Sequence, residues 1–226
     1  MKTKYIIAIV AAVSLTGCAT SVVQTKESQA AITPEQAISK LREGNARFVA
    51  GKSRHRDLVA QSSKTASGQF PFAVVLGCID SRSSSEIILD QGIGDIFSAR
   101  VAGNVLNDDL LGSMEFATAK AGAKAILVLG HTRCGAVSGA CNNAQLGHVT
   151  GLLEKIKPAV RNVSRSGHSE KAGPVFEDRV SAENVRQVVS QIRARSGIVR
   201  DLEAQGKLVV RGALYHLETG KVEFLQ

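Results

Sequence analysis

The sequence predicts an α/β domain: a central, mostly parallel four-stranded sheet flanked by helices, with an added C-terminal antiparallel strand or hairpin and an N-terminal helical arm. Three observations carry this expectation. Short apolar-rich runs read as strands at Phe72–Leu76, Ile96–Val101, Ala125–Leu129 and Leu208–Leu214, the first a continuous apolar run of the kind that strands buried on both faces show. Stretches with helical spacing separate the runs, and strands that alternate with helices build parallel sheets. The 226 residues, 44% hydrophobic and 21% charged, suffice for one domain with a sizeable core and are too few for two ordinary ones. Trp is absent, so the core must come from Val, Ile, Leu and Ala.

The first segment reads as targeting rather than fold. Lys2 and Lys4 give a positive start, Tyr5 to Val13 an apolar run, and Leu15-Thr16-Gly17-Cys18 closes it. The run has the length of a signal-peptide core and is too short for a permanent span. The last four residues resemble a lipobox, the cleavage site of bacterial lipoproteins. The expected organisation is a signal peptide over 1–17, a lipidated tether over 18–32 starting at Cys18, and one domain over 33–226. That places the protein outside the cytoplasm, lipid-anchored to a bacterial membrane; Ala19 after the Cys, rather than Asp, points to the outer membrane if the cell has one. Without Lys2 and Lys4, 26 basic residues face 20 acidic ones, a net of +6. The basic residues (Arg42, Lys52, Arg54, Arg165, Arg193, Arg195) are scattered and not interleaved with aromatics. With an export signal, this argues for a solvated basic surface and against a nucleic-acid partner.

At Thr33-Pro34-Glu35-Gln36 a cap residue, Pro at the first helical position and Gln three after the cap announce a helix. Ala37, Ile38, Leu41, Phe48 and Val49 mark its apolar face, and Gly51 ends it. Residues 52–69 lack regular periodicity and read as a wrapping loop. Beyond the first strand come a short helix near Ser84–Asp90, the second strand, and a helix over Asp108–Ala121 carrying Leu110, Leu111, Met114 and Ala117. After the third strand, helices are expected at about 135–144, 149–164 and 181–204, then the fourth strand and a hairpin through Thr219-Gly220 to Leu225.

In such sheets functional groups gather beyond the carboxyl ends of strands, which points at Cys78 after the first run and at His131 and Cys134 after the third. Two thiolates and an imidazole form a donor set suited to Zn²⁺, and three protein ligands leave a fourth place open. Alone, Cys78 and Cys134 would equally read as buried inert thiols or a disulfide, and His131 as a structural histidine. Asp80 and Arg82 stand two apart, where a carboxylate can pair bidentately with a guanidinium; a purely structural brace is the plainer alternative. Cys141, two helical turns past Cys134, reads as a small core residue, and Gly92-Ile93-Gly94 as a tight turn.

Cys78-x-Asp80-Ser81-Arg82, Arg100-Val101-Ala102-Gly103-Asn104, Gly130-His131-Thr132-x-Cys134-Gly135 and Gly212-Ala213-x-Tyr215 with Thr219-Gly220-x-Val222 together resemble the β-class carbonic anhydrases, in order and over residues 33–226. The resemblance implies one zinc per chain on Cys78, His131 and Cys134. It implies that Asp80 either takes the fourth place or, held by Arg82, leaves it to water and orients a zinc-bound hydroxide that attacks carbon dioxide to give bicarbonate. Gln91 resembles the substrate-binding Gln of the plant-like branch, although the stretch from Gln91 to Phe97 is one residue longer than that pattern. The other branch carries a Trp where Val75 stands, so its regulatory bicarbonate site is expected to be missing. The proton released at each turnover leaves through buffer or with the help of His55 or His148, between which nothing in their positions decides. A homodimer or higher oligomer is implied, the N-terminal helix embracing a partner, with membrane contact through the lipid anchor only. Two other functions share these residues: hydrolysis of carbonyl sulfide or carbon disulfide at the same centre, and a non-catalytic zinc-binding lipoprotein.

Overall fold

The computed structural model describes residues 20–167 and 172–225; the expected signal peptide and Cys18 lie outside the described residues. Five strands, β1 (Ala73–Gly77), β2 (Ile96–Arg100), β3 (Ala125–His131), β4 (Val209–Tyr215) and β5 (Val222–Leu225), form one sheet in the order β2-β1-β3-β4-β5. The first four run parallel and β5 closes the edge antiparallel to β4.

The helices are α1 (Lys26–Ala31), α2 (Pro34–Val49), α3 (Leu58–Thr65), α4 (Ser85–Ile88), α5 (Asp108–Glu115), α6 (Gly135–Cys141), α7 (Gly147–Glu154), α8 (Lys157–Arg165), α9 (Pro174–Arg195) and α10 (Gly197–Ala204). Among the described residues, no helix is long and apolar enough to cross a membrane. Successive strand residues face opposite layers. Ala73, Val75, Leu127 and Ala213 pack with Ala37, Ile38 and Leu41 of α2 on one face. Val74, Leu76, Ile126, Val128 and Val210 pack with Met114, Val185, Val188 and Ile192 on the other. Each large aliphatic side chain so buried contributes roughly 1.5–3 kcal/mol. The helical arm is thus a layer of the domain's own core.

Thr33 caps α2 as expected: its hydroxyl accepts from Gln36 N at 3.2 Å, and the Gln36 amide accepts from Thr33 N at 2.9 Å. Asn45 on this helix donates to the carbonyls of Ile88 (3.0 Å) and Gly220 (2.8 Å) and accepts from Val222 N (2.8 Å). One buried amide thereby joins α2, the end of α4 and the start of β5.

Several elements depart from the sequence reading. The stretch taken for tether carries α1, and Gln29 is buried there, donating to the carbonyls of Pro71 (2.7 Å) and Ala121 (2.8 Å). Residues 52–69 contain α3, started by the Asp57 carboxylate accepting from Ala60 N. The single helix expected over 181–204 starts earlier, at Pro174, and breaks at Ser196. The Ser196 hydroxyl accepts from Val199 N at 3.1 Å and donates to Glu115 at 2.6 Å, capping a new helix. Likewise 149–164 is two helices, α7 and α8.

Candidate metal centre

The parallel strands β1 and β3 are hydrogen-bonded neighbours, Gly77 opposite Leu129, so whatever follows them emerges side by side. Cys78 is the first residue past β1, His131 the last of β3, and Cys134 the cap of α6. Their ligand atoms all lie within 4.8 Å of one another, and all three side chains are buried. The chain turns from His131 to Cys134 through Arg133, which adopts φ +55°. Its N–H donates to the Asp178 carboxylate at 2.8 Å, and the Thr132 N–H donates to Tyr215 O at 2.9 Å. This turn brings the Cys134 sulfur back over the strand end.

His131 Nδ1 is bonded to the Thr132 carbonyl at 2.9 Å. That bond fixes the proton on Nδ1 and leaves Nε2 as a lone-pair donor. Nε2 is buried and without a hydrogen-bond partner of acceptable geometry, which is costly unless something outside the polypeptide satisfies it. The Cys134 side chain, then His131 and the N–H of Gly103 (3.3 Å from the sulfur), hold the Cys78 thiol well below its ordinary pKa. Hydrogen bonding to Cys78, and then burial, push Cys134 up. Two sulfurs sharing one proton beside an unsatisfied imidazole nitrogen form a set from which a divalent cation would displace that proton. The set fits Zn²⁺, which takes thiolate and imidazole ligands tetrahedrally.

Asp80 and Arg82 stand at the mouth. Arg82 donates to the Asp80 carboxylate from Nε (3.0 Å), Nη2 (2.8 Å) and its backbone N (2.9 Å). These bonds hold the carboxyl down to about 2, against the smaller opposing effect of partial burial. Asp80 Oδ2 lies 3.9 Å from His131 Nε2, so the carboxylate borders the cluster without joining it. Burial alone would lower the His131 pKa; the neighbouring Cys78 sulfur, the Thr132 carbonyl and the charge of Asp80 outweigh it and leave the group raised.

Two contributors to this site were quoted in the sequence motifs without a role. Arg100 donates to the carbonyls of Cys78 (2.8 Å) and Asp80 (2.7 Å), clamping the turn that carries both. Gly103 sits at φ +63°, and a Cβ there would come 2.7 Å from Ile156 Cδ1. Glycine alone therefore brings that N–H to the Cys78 sulfur. Gln91 lies elsewhere: its amide donates to Leu89 O at 2.5 Å. It lines a cavity of about 320 Å³ with Arg54, Arg56, Ile87 and Ile93, to which Cys78, His131 and Cys134 do not contribute. Cys141 is half-buried, and burial raises its thiol to about 11. His55 and His148 are exposed and outside the cluster.

Residues 73–222 match the family model described as carbonic anhydrase. A Mycobacterium tuberculosis protein named carbonic anhydrase 2 is 40% identical over 194 residues, 83% of this chain and 91% of that protein. The structure of a tetrameric β-carbonic anhydrase from Sordaria macrospora superposes with a TM-score of 0.69 at 25% identity, covering 84% of this chain and 97% of that one. A Coccomyxa β-carbonic anhydrase in complex with acetazolamide superposes with a TM-score of 0.63 at 28% identity, covering 83% and 86%.

Proposed function

We propose that this chain, which belongs to the β-carbonic anhydrase family, hydrates carbon dioxide reversibly to bicarbonate and a proton at the centre formed by Cys78, His131 and Cys134. Zinc is the cofactor of this family, and the three side chains are placed to hold it. The observation that carries the reading is the buried, unsatisfied His131 Nε2 facing two sulfurs, with a carboxylate–guanidinium pair 3.9 Å away. When bound, zinc supplies a Lewis acid that lowers the pKa of coordinated water to about 7.

The residues around it divide the remaining work. Cys78 and Cys134 neutralise the cation, while the Gly103 N–H bonded to the Cys78 sulfur draws off part of that negative charge. A carboxyl held down to about 2 is a poor proton acceptor at neutral pH, so Asp80 acts as a hydrogen-bond acceptor that orients the attacking oxygen. Arg82 keeps Asp80 ionised and turned to the mouth. The sulfurs pack with Val105, Val137 and Ile156 in an apolar cluster, which suits an uncharged linear substrate and excludes loose water.

The same chain is proposed to work outside the cytoplasm, held by lipid on Cys18, and to assemble as a homo-oligomer. Leu15-Thr16-Gly17-Cys18 supports the first, and the tetrameric Sordaria relative supports the second. Stopped-flow carbon dioxide hydration by purified protein tests the function: activity should vanish on chelation, return with Zn²⁺ and be blocked by acetazolamide. Zinc-loaded protein that hydrolyses carbonyl sulfide or carbon disulfide but leaves carbon dioxide untouched would overturn it.

A further inference from the structure

The first described residue fixes which face of the body meets the anchor. Thr20 forms a parallel bridge with Arg56: its N–H donates to His55 O at 2.9 Å, and its carbonyl accepts from Asp57 N at 3.0 Å. Ser21 and Val22 continue along α3. Lys64 donates to the Ser21 carbonyl at 3.0 Å and to its hydroxyl at 2.7 Å, and Gln61 donates to the Val22 carbonyl at 2.7 Å. Two residues of chain reach at most about 7 Å, so acyl chains on Cys18 would enter a bilayer within that distance of Thr20. The start of α3 must then stand at the headgroups.

What the body presents at that place is unusual for an exposed surface. Val59 is 82% exposed, Val22 76% and Leu58 51%, three large apolar side chains around the attachment point. Beside them Lys52 and Arg54 are exposed and carry no ion pair among the described residues. Of the acidic side chains nearby, Asp90 is bound by Arg47 and Arg56, Asp57 accepts from Ala60 N at the start of α3, and Glu86 lines the same cavity as Arg54 and Leu58. Apolar side chains flanked by cations are the composition that settles into the boundary between headgroups and acyl chains.

We propose that Val22, Leu58 and Val59, flanked by Lys52 and Arg54, form a membrane-docking face that seats the body on an anionic lipid surface and fixes its orientation. This rests on the lipid-anchor reading above and goes beyond it. A lipid on a flexible tether would leave the body free to tumble, whereas this face holds it against the bilayer.

The test uses the mature lipoprotein in phosphatidylglycerol-containing vesicles. The chain has no Trp, so Val59→Trp and Leu146→Trp each introduce a single reporter at an exposed position, the second on the loop into α7. Phospholipids brominated high on their acyl chains should quench position 59 about twofold, as expected for a group ~5–10 Å into the interface, and leave position 146 unchanged. Val59→Asp together with Leu58→Asp should abolish the quenching of a Val22→Trp reporter while acylation is retained. Acylated protein whose position-59 reporter remains open to aqueous iodide overturns the docking face alone. So does one shielded from both quenchers, which would mean that a second protein copy covers it. Mature protein without the lipid mass on Cys18 overturns the anchor and the docking face together.

Discussion

Gly130→Ala probes how closely α9 is seated over the strand that delivers His131. Val185 on α9 is fully buried and straddles two neighbouring strands. A Cβ on Gly130 would lie 2.6 Å from its Cγ2, and one on Gly212 would lie 2.6 Å from its Cγ1. Carbon atoms settle about 3.5–4.0 Å apart, so each substitution overlaps Val185 by about 1 Å. Gly130 sits in β3 without a positive φ, so alanine meets no backbone strain and the cost is steric. Overpacking of this size costs about 1–3 kcal/mol, and for a domain of this length ~2 kcal/mol lowers Tm by about 4–8 °C. Val185→Ala removes both γ methyls, for a loss of ~1.6 kcal/mol in transfer free energy. In the double variant the new Cβ occupies the space that Cγ2 vacates, so the two losses should fall short of their sum by about 1–3 kcal/mol. The assay is thermal unfolding at fixed protein and zinc concentration, because a bound metal shifts Tm by mass action. Strictly additive losses would refute the packing argument. Zinc content measured alongside should fall in Gly130→Ala, since the displaced strand end carries His131.

Arg82→Ala should retain zinc and lose about 10- to 100-fold in turnover, the usual cost of removing a partner that orients a metal-site group. X-ray absorption should show an added carboxylate ligand from Asp80, no longer held by Arg82; near-normal hydration would reduce the pair to a structural brace. Asp90→Asn should destabilise the protein by roughly 3 kcal/mol, because it strips a buried carboxylate from Arg47 and Arg56. Despite burial, these arginines hold the Asp90 pKa below its ordinary 3.8. Its contribution is therefore complete above about pH 4 and lost as pH falls further, and acid unfolding of Asp90→Asn should lack that part of the slope.

The sheet was legible because the central strands, buried on both faces, are continuously apolar at 72–76 and 125–129, while 96–101 and 208–214 are apolar enough to read as strands despite Ser98, Arg100 and Arg211; boundaries are off by a residue or two. The Thr33 cap was legible because it is local chemistry. What escaped has its cause in tertiary structure. Along α3 the buried residue is Gln61 and the apolar residues Leu58 and Val59 face out, so no periodic stripe announces a helix. Lys26–Ala31 is too short to show a period, and it is ordered by one buried amide from Gln29. The Ser196 break was written in Ser196-Gly197, but a long amphipathic pattern on both sides hid it. For the site, Cys78, His131, Cys134, Asp80 and Arg82 were all readable from spacing plus resemblance. The work of Arg100 and Gly103 depends on where a carbonyl and an N–H point, which sequence spacing does not encode. Gln91 was readable as a motif position, yet its side chain is bound to its own loop.

Zinc stoichiometry with zinc-edge X-ray absorption on the purified chain tests the central claim most directly, beside the same measurement on His131→Ala. The account predicts one zinc per chain with two sulfur ligands and one imidazole, from Cys78, Cys134 and His131, and loss of both metal and carbon dioxide hydration in the variant. A zinc shell without two sulfurs, or His131→Ala protein that keeps full zinc and full turnover, would contradict it.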